Sequence, residues 1–464
     1  MRKVYALLIV FSVLTGLVLI PGVSAAGSAS YWIGTYGGTL LISPSPILSL
    51  PGGSSVFVSY VKEDMMVEYS VLREVAPNGS VEWAVEYGKG VIINALAETP
   101  DGKIVAAGTY FSGGSLLPDG FLMEIDKGGK VLWAKRYGGN GTDFLSVVTV
   151  LKNGEILAAG MTTSFGDAKG SVWLLKTDGH GNVLWERTYG TRWNDEPSSI
   201  LVEPNGNVLI AGTSIHGSIT YGLILSVDGN GNLRWAREYR NGMGLVIRSL
   251  SYSNGSLYAS GYIYLGNGTI GALIMKLDGK GNVLWSRSYY RRGFFMLGGN
   301  MVMGPKGSWL SGALVRVLSN ETTYYGILLH VSNGTLTDVR TYGPGMALRT
   351  LTIAPDGSLL LSGVTKNNTP LMARLPANGS LPNCKYLTSV KVEKTSPEVN
   401  VSQVELSTGQ PKSTVRTIAV TTGKTAGNAS LLCTYMPPEK GKGICGPGFI
   451  VLLVLLAVVP LRKR

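Results

Sequence analysis

Short runs of alternating apolar and polar residues fill the chain between residues 31 and 387. In the stretch NVLWSRSY, for example, Val283, Trp285 and Tyr289 fall on one face of an extended strand. Runs of this kind are separated by turns rich in Gly, Asn, Asp and Pro. About four runs recur in every 51 residues, which predicts a repeated four-stranded antiparallel sheet.

Two phrases mark the repeat. The first is a Trp followed four residues later by a Tyr, and two further intervals keep only the tyrosines Tyr342 and Tyr386. The second is a turn and strand such as PDGKIVAAG at 100–108, which has seven copies if the degenerate PGGSSVFVSY at 51–60 is counted. The Trp–Tyr pairs are Trp32/Tyr36, Trp83/Tyr87, Trp133/Tyr137, Trp185/Tyr189, Trp235/Tyr239 and Trp285/Tyr289.

Four-stranded units repeated at this interval are typical of a β-propeller, whose radial packing protects the sheet edges. A helical solenoid needs a period of 3.6, and leucine-rich repeats are much shorter. We therefore predict an all-β, seven-bladed β-propeller over residues 31–387. The 63 glycines and 22 tyrosines of this 464-residue chain favour such a turn-dense β protein.

The unit resembles the secreted SBBP-type propeller repeats of bacteria and archaea, which share its DGN, AG and W-x-x-x-Y-G phrases. This resemblance implies four strands, A to D, with A inside and the Trp strand D outside. YWIGTYGG at 31–38 is then an orphan D strand that closes the ring on the last blade. There it would displace or supplement SLPNCKYL, which carries Pro382.

We interpret the Trp–Tyr ladder as blade packing, in which two rings enclose a cation such as Lys135 or Arg187. The alternative is a ladder of sugar-stacking sites. Small residues of strand B, such as Ala106-Ala107-Gly108, are expected to leave room for a neighbouring ring.

The N-terminal residues 1–25 have the basic start, apolar run and small-residue end of a secretory signal peptide. An uncleaved membrane anchor is the alternative. Ten N-x-S/T sequons agree with export. These glycosylation candidates are Asn78, Asn140, Asn254, Asn267, Asn320, Asn333, Asn367, Asn378, Asn400 and Asn428.

Residues 388–435 form a Ser/Thr/Val-rich segment that is expected to be extended. Cys384 and Cys433 bracket it, and in an exported protein they are the natural disulfide pair, with two free buried thiols as the alternative. Such a bond would tie the segment back to the propeller.

After a linker at 436–444, the last 20 residues (445–464) contain Cys445-Gly446-Pro447, an apolar run and a basic end. This arrangement resembles the CGP-type C-terminal sorting signal of archaeal surface proteins. The resemblance implies membrane targeting, with Cys445 as the attachment point. A short permanent anchor is the alternative, and in either case the basic end stays on the cytoplasmic side.

The net charge of +12 falls to +7 without the five basic residues of the two end segments, and no Lys/Arg cluster remains. This distribution argues against nucleic-acid binding. The sequence has no metal-binding, phosphate-binding or nucleophile-elbow motif, so we predict no catalytic residue, metal or cofactor. The aspartates Asp178, Asp228 and Asp278 precede Gly and Asn as hairpin turns do.

A ligand site, if present, is expected on the D–A and B–C loops, where the repeats differ most. Candidate ligand-binding residues there are Asp143, Trp193, Asp195, Glu196, Arg291 and Arg292. They could bind an anionic or sugar ligand, or they could cap strands and pair with charges between blades.

Three functions remain open. The first is a non-catalytic binding or scaffolding module, exported and tethered to the archaeal cell membrane, with envelope proteins, peptides or glycans as partners. The second follows from the likeness of LDGKGNVLW to the repeat of quinoprotein dehydrogenases, which hold pyrroloquinoline quinone. This chain has seven units instead of their usual eight, and Gly-Asn where they have Thr-Gly. The third is a hydrolase or lyase that uses Asp143 and Asp195.

Overall fold

The structure is a computed structural model that describes residues 30–37, 46–63, 66–113, 116–166, 169–304, 307–318, 321–388, 390–420, 422–425 and 429–436. Residues Tyr31–Tyr435 form one compact unit. The predicted signal peptide and the sorting segment with Cys445, Gly446 and Pro447 lie outside the described residues, as do Asn320 and Asn428. No helix among the described residues is long and apolar enough to cross a membrane.

Seven antiparallel blades form the fold, as predicted, and each has four consecutive positions A to D. Blade 1 contains β2 (Ile47–Ser49), β3 (Ser55–Glu63), β4 (Met66–Val75) and β5 (Val81–Tyr87), and blade 2 contains β6 (Val91–Glu98), β7 (Ile104–Tyr110), β8 (Asp119–Ile125) and β9 (Val131–Gly138). Blade 3 contains β10 (Asp143–Val150), β11 (Ile156–Thr162), β12 (Ser171–Thr177) and β13 (Val183–Gly190), and blade 4 contains β14 (Asn194–Val202), β15 (Val208–His216), β16 (Ile219–Val227) and β17 (Leu233–Arg240).

Blade 5 contains β18 (Leu245–Ser253), β19 (Ser256–Gly266), β20 (Thr269–Leu277) and β21 (Val283–Tyr290), and blade 6 contains β22 (Phe295–Gly304), β23 (Gly307–Val317), β24 (Thr322–Ser332) and β25 (Thr335–Tyr342). Blade 7 contains β26 (Met346–Ile353), β27 (Leu359–Thr365), β28 (Pro370–Leu375) and the N-terminal strand β1 (Tyr31–Tyr36).

The N-terminal strand closes the ring by taking position D of blade 7. It pairs antiparallel with β28, with Trp32 opposite Arg374 and Thr35 opposite Leu371. The stretch SLPNCKYL at 380–387, which sequence analysis gave as the degenerate seventh D strand, does not form one: residues 380–386 lie outside any strand, and Leu387 pairs with Tyr342 of blade 6. The orphan strand therefore replaces the last outer strand of the ring.

A lock joins every blade to the next and accounts for the repeated sequence phrases. The buried Tyr hydroxyl of each outer strand donates a hydrogen bond to the glycine carbonyl in the C–D turn of the following blade, as in Tyr137 to Gly181 at 2.7 Å. The preceding Trp133 ring lies against the same glycine, where an added Cβ would come within 2.7 Å of it. The other six pairs are Tyr36–Gly79, Tyr87–Gly129, Tyr189–Gly231, Tyr239–Gly281, Tyr289–Gly334 and Tyr342–Gly379.

Of the predicted contacts of a cation with two rings, the one with the Trp ring is present. The cation of Lys135 lies 6.0 Å from the Trp133 ring, and that of Arg187 lies 5.6 Å from the Trp185 ring. Blades 4 and 5 repeat the contact with Arg237 on Trp235 and Arg287 on Trp285. The repeated phrases therefore act in blade packing.

The segment after Tyr386 forms a belt around the propeller, which sequence analysis did not predict. It adds a fifth strand to every blade, visiting blades 6, 5, 4, 3, 2 and 1 in turn and ending on blade 7. The outer strands of a four-stranded blade expose unpaired backbone groups, and the belt hydrogen-bonds to them. The belt strands are β29 (Leu387–Thr388), β30 (Glu393–Thr395), β31 (Asn400–Gln403), β32 (Ser407–Gly409), β33 (Thr414–Thr417), β34 (Thr422–Lys424) and β35 (Ala429–Tyr435).

The belt advances by about seven residues per blade, and its apolar residues follow this period. Val392, Val399, Leu406 and Val420 stand at multiples of seven residues from each other. Each packs, half-buried, against a hydrophobic cluster formed by the blades. The belt is therefore held by apolar contacts as well as by strand pairing.

One backbone hydrogen bond from the belt to the outer strands recurs from blade to blade, and a belt proline replaces its donor over blade 5. Val404 donates its backbone N–H to the carbonyl of Ala236 at 3.3 Å, and the same bond recurs at Ile418 with Ala134 and at Thr425 with Ala84. Pro397 occupies the equivalent position over blade 5 and has no N–H. There the Ser286 hydroxyl donates to the Pro397 carbonyl instead.

The predicted disulfide joins the two ends of the belt. Cys384 precedes the first belt strand, Cys433 lies in the last, and their Cα atoms are 5.5 Å apart. The 49-residue separation between the two cysteines thus spans one circuit of the seven blades. The bond closes the belt covalently around the ring.

Candidate functional site

The inner strands of six blades carry a bulge at the same place. In blade 3, for example, the register shifts between Leu145 and Val147, so that Ser146 has no partner on strand B. A bulge redirects the side chain of the extra residue. The bulged residues are Asn94, Ser146, Ser198, Arg248, Gly299-Asn300 and Arg349, and all of them line the central channel.

The glycine of the repeated AG phrase makes room for this bulge. A Cβ built on Gly160 would lie 1.7 Å from the Phe144 carbonyl oxygen, and one on Gly108 would lie 1.9 Å from that of Ile92. Sequence analysis assigned the small residues of strand B to contact with a neighbouring ring. The closest contact is instead the backbone of strand A, and the ring of Phe121 is the next atom group from Gly108 at 2.7 Å.

The channel has a volume of about 1590 Å³ and is lined from all seven blades. Its charged lining residues are Lys89, Arg248, Arg349 and Glu196. The Glu196 carboxylate accepts a hydrogen bond from the Asn194 side chain at 2.8 Å. The lining therefore carries more positive than negative charge.

The six bulge positions surround the channel and are called the bulge ring from here on. Two of its neutral residues hydrogen-bond one blade to the next. The Asn94 amide donates to the Leu145 carbonyl of blade 3 at 2.9 Å, and the Ser198 hydroxyl donates to the Ile247 carbonyl of blade 5 at 2.8 Å. These side chains are short enough to stay at the channel wall. The same position in blades 5 and 7 is occupied by the much longer Arg248 and Arg349.

Of the candidates from sequence, Asp143 is fully buried at the start of β10. Its carboxylate accepts hydrogen bonds from the Gly139 N–H at 2.8 Å and from the Thr162 and Ser164 hydroxyls at 2.5 and 2.6 Å. These contacts organise the D–A loop between blades 2 and 3.

Asp195 has the equivalent role in the D–A loop between blades 3 and 4. It is also fully buried, and it accepts hydrogen bonds from the N–H and hydroxyl of Thr191 at 2.6 and 2.9 Å. Each of the two aspartates is thus bonded within its own loop region. The two carboxylates are not hydrogen-bonded to each other.

Trp193 lies in an aromatic and ionic group beside Asp195. Its ring stacks on His216 with the centroids 4.8 Å apart, and the Lys169 ammonium lies 4.9 Å from it. His216 Nε2 lies 2.9 Å from the buried Glu238 carboxylate, which also pairs with Arg240. Trp193 therefore lies in the D–A loop, whereas Asp195 and Glu196 lie in β14 and only Glu196 lines the channel.

The arginines of the D–A loop between blades 5 and 6 lie elsewhere. Arg291 stacks over the Phe294 ring at 4.7 Å. Arg292 is highly exposed and lies 3.5 Å from the Glu393 carboxylate of the belt. Neither is among the residues that line the channel.

The described histidines do not form a metal site. His180 is exposed in a turn and donates its backbone N–H to Asp178, and His330 contacts Thr337. Within the described part of the chain, no group of three or more His, Cys, Asp or Glu residues could hold a metal ion. The aspartates Asp178, Asp228 and Asp278 bind turn N–H groups with their carboxylates.

The eight sequon asparagines in the described ranges are all exposed. They are Asn78, Asn140, Asn254, Asn267, Asn333, Asn367, Asn378 and Asn400. Each is accessible to a glycan without disturbing the core.

The buried Asp195 gives a prediction for pH. Burial raises its pKa from 3.8 to about 6, against the hydrogen bonds from Ser214 and Thr191, which lower it. The pKa of Asp195 is higher in the folded chain than in the unfolded chain, so its bound proton stabilises the fold. This stabilisation is complete below about pH 4 and is lost as the pH rises towards 6. We expect the stability of wild type relative to Asp195→Asn to fall by about 2 kcal/mol between pH 4 and 7 in urea titrations.

Asp228 provides the control with the opposite sign. The hydrogen bond from the Asn232 side chain lowers its pKa, so its contribution is lost as the pH falls. The stability advantage of wild type over Asp228→Asn should therefore shrink in acid. A pH-independent difference for Asp195→Asn would contradict the first prediction.

Comparison with known proteins shows no family. No family model and no curated protein sequence matches the chain. Among solved structures, Sqt1 from Chaetomium thermophilum is 10% identical with a TM-score of 0.40, and the alignment covers 76% of this chain and 99% of Sqt1. Polysaccharide lyase Uly1 is 10% identical over 77% and 94% of the two chains, with a TM-score of 0.41. Drosophila Semaphorin 2a is 9% identical over 75% and 78%, with a TM-score of 0.43. Likeness at this level says nothing about binding or activity.

The residues that sequence analysis missed are the six bulge positions of the inner strands. A signal for them is present, because glycine at a fixed place inside a strand marks a bulge or a close backbone approach. The AG phrase therefore predicts the bulge, and counting back along strand A gives the residue that faces the axis.

Proposed function

We propose that this chain is an exported surface protein of the archaeal cell envelope, held at the membrane through its C-terminal segment. In this proposal the propeller is a non-catalytic binding module whose partners are envelope proteins, peptides or glycans. The signal-like residues 1–25 and the Cys445-Gly446-Pro447 segment support export and tethering. The disulfide agrees with an oxidising compartment.

The observation that carries the binding role is the central channel. Every blade contributes lining residues, and a volume of about 1590 Å³ exceeds the usual range for a small-molecule site. Side chains at its wall, such as Asn94 and Ser198, are used in latching blades together. A closed ring with a wide channel, lined by apolar residues and a few polar and charged ones, suits recognition of a ligand or a chain segment.

Localisation is tested with the full chain expressed in an archaeal host. We expect it in the membrane fraction of intact cells and labelled by a membrane-impermeant biotin reagent. A variant that lacks residues 445–464 should appear in the medium, whereas Arg234→Gln, a change on the exposed propeller surface, should stay on the cell. Recovery of the wild-type chain from the cytosol would refute the proposal.

The binding role needs a separate measurement. The purified full chain, kept in detergent, is incubated with isolated envelope fragments, and bound material is identified by mass spectrometry. We expect saturable binding to the envelope fragments. Native mass spectrometry should detect no redox cofactor released when the chain is unfolded. A stoichiometric quinone would instead favour a dehydrogenase.

A further inference from the structure

The bulge ring contains two arginines on either side of a blade whose bulge, Gly299-Asn300, begins with glycine. Arg248 belongs to blade 5 and Arg349 to blade 7, while blade 6 between them has Gly298 and Gly299. A Cβ on Gly298 would lie 2.0 Å from the Gly261 carbonyl oxygen, and one on Gly299 would lie 2.6 Å from that of Arg349. The two glycines thus let the backbones of blades 5 and 7 pack closely against the two sides of the inner strand of blade 6.

The two arginines line the same channel on either side of blade 6. Burial and then the charge of Arg248 lower the pKa of Arg349, while Tyr324 raises it. Arg248 is exposed to the channel and lies over the Tyr262 ring at 5.7 Å. Two like charges in one cavity repel each other, and an anion placed between them removes that repulsion.

The backbone around the pair is fixed by hydrogen bonds. The Ser311 hydroxyl lies 3.1 Å from the Arg349 carbonyl oxygen and 3.2 Å from that of Asn300, so one side chain ties blade 6 to blade 7. The Ser260 hydroxyl of blade 5 donates to the Gly299 carbonyl at 3.1 Å. The two arginines therefore project from a wall whose position is set.

We propose that Arg248 and Arg349 form an oxyanion site in the channel, which takes a ligand carrying a carboxylate, sulfate or phosphate group. A guanidinium presents several N–H donors in a planar fork that fits such groups. The surrounding lining residues Lys89, Tyr262 and Tyr324 add positive charge and aromatic surface. This inference rests on the proposed binding function and names its ligand chemistry.

The test is isothermal titration calorimetry of the full chain with four probes. These are inorganic phosphate, inorganic sulfate, an oligogalacturonate and the uncharged maltohexaose. We expect one site for at least one anionic probe and none for maltohexaose. Tighter binding of the oligogalacturonate than of inorganic anions would identify an acidic glycan as the ligand, and the reverse order would identify a small free anion.

The paired variants locate the site. In Arg248→Gln/Arg349→Gln we expect the Kd of the bound anion to rise roughly tenfold or more, since two charge-assisted interactions are lost. Arg234→Gln/Arg416→Gln removes the same charge from exposed positions on an outer strand and on the belt, and it should leave the Kd within about twofold. An equal loss in both variants, or no anion binding at all, would overturn the proposal.

A variant-free measurement covers the case in which the channel variant fails to fold. Wild-type chain is treated with phenylglyoxal, which modifies arginine, with and without the bound anion. Peptide mapping should show protection at Arg248 and Arg349 and none at Arg416. If protection is absent while the chain still binds envelope fragments, the anion site is wrong and the proposed function stands.

Discussion

Replacing both disulfide cysteines, as Cys384→Ser/Cys433→Ser, is expected to lower the free energy of unfolding by about 4 kcal/mol. The estimate follows from the loop that the bond closes, because a cross-link between residues 49 apart restricts the unfolded chain by about that amount. The native state loses a second constraint as well, since the two belt ends are no longer held at blade 7. Urea unfolding under oxidising conditions measures the change.

The reducing agent dithiothreitol serves as the internal control. It should destabilise the wild-type chain to the level of the double variant and leave the double variant unchanged. Hydrogen exchange should then show faster exchange along β29 to β35 than along the inner strands, because the belt is the outermost layer. Equal unfolding midpoints for wild type and variant would contradict a stabilising role of the closed belt.

The blade repeat was predictable from sequence because large side chains recur at fixed intervals and mark each copy. A Trp and a Tyr four residues apart, such as Trp235 and Tyr239, indicate an outer strand in each copy. The structure adds the physical reason, since both rings lie against the glycine turn of the next blade. Position and partner follow from local spacing, so the ring could be inferred without coordinates.

The belt was not predictable by the same means. Its strands are two to seven residues long and mostly exposed, and its apolar residues are single valines or leucines separated by polar ones. The seven-residue period of Val392, Val399 and Leu406 is visible in the sequence, but it can be assigned to a belt only once seven blades are known to lie beneath it. Pairing with strands far away in sequence leaves little trace in local patterns.

The candidate site shows a similar limit. Asp143 and Asp195 were candidates because they are charged residues in variable loops. In the structure both are buried, and they accept hydrogen bonds that organise those loops. Arg248 lies in an ordinary alternating strand, and its local sequence did not indicate a site residue. Only the bulge, which depends on a glycine in the neighbouring strand, directs it towards the axis.

Removing one interblade lock is the second large effect. Tyr239 is fully buried, and its hydroxyl donates to the Gly281 carbonyl of the next blade at 2.7 Å. Tyr239→Phe leaves that carbonyl unsatisfied and is expected to cost about 1–3 kcal/mol. Tyr239→Ala also leaves a cavity between blades 4 and 5 and is expected to cost about 3–5 kcal/mol. Urea unfolding measures both.

The partly exposed Tyr252 of blade 5 supplies the matched control, and Tyr252→Phe should change stability by no more than about 0.5 kcal/mol. The repeat then allows a stricter test, because Tyr137 makes the same bond to Gly181 two junctions away. Residues so far apart share no partner, so the losses of Tyr137→Phe and Tyr239→Phe should add to within about 0.5 kcal/mol. A double loss well above the sum would mean that the junctions depend on each other through closure of the ring, and a loss near zero would mean that the Tyr–Gly bond is not what holds neighbouring blades together.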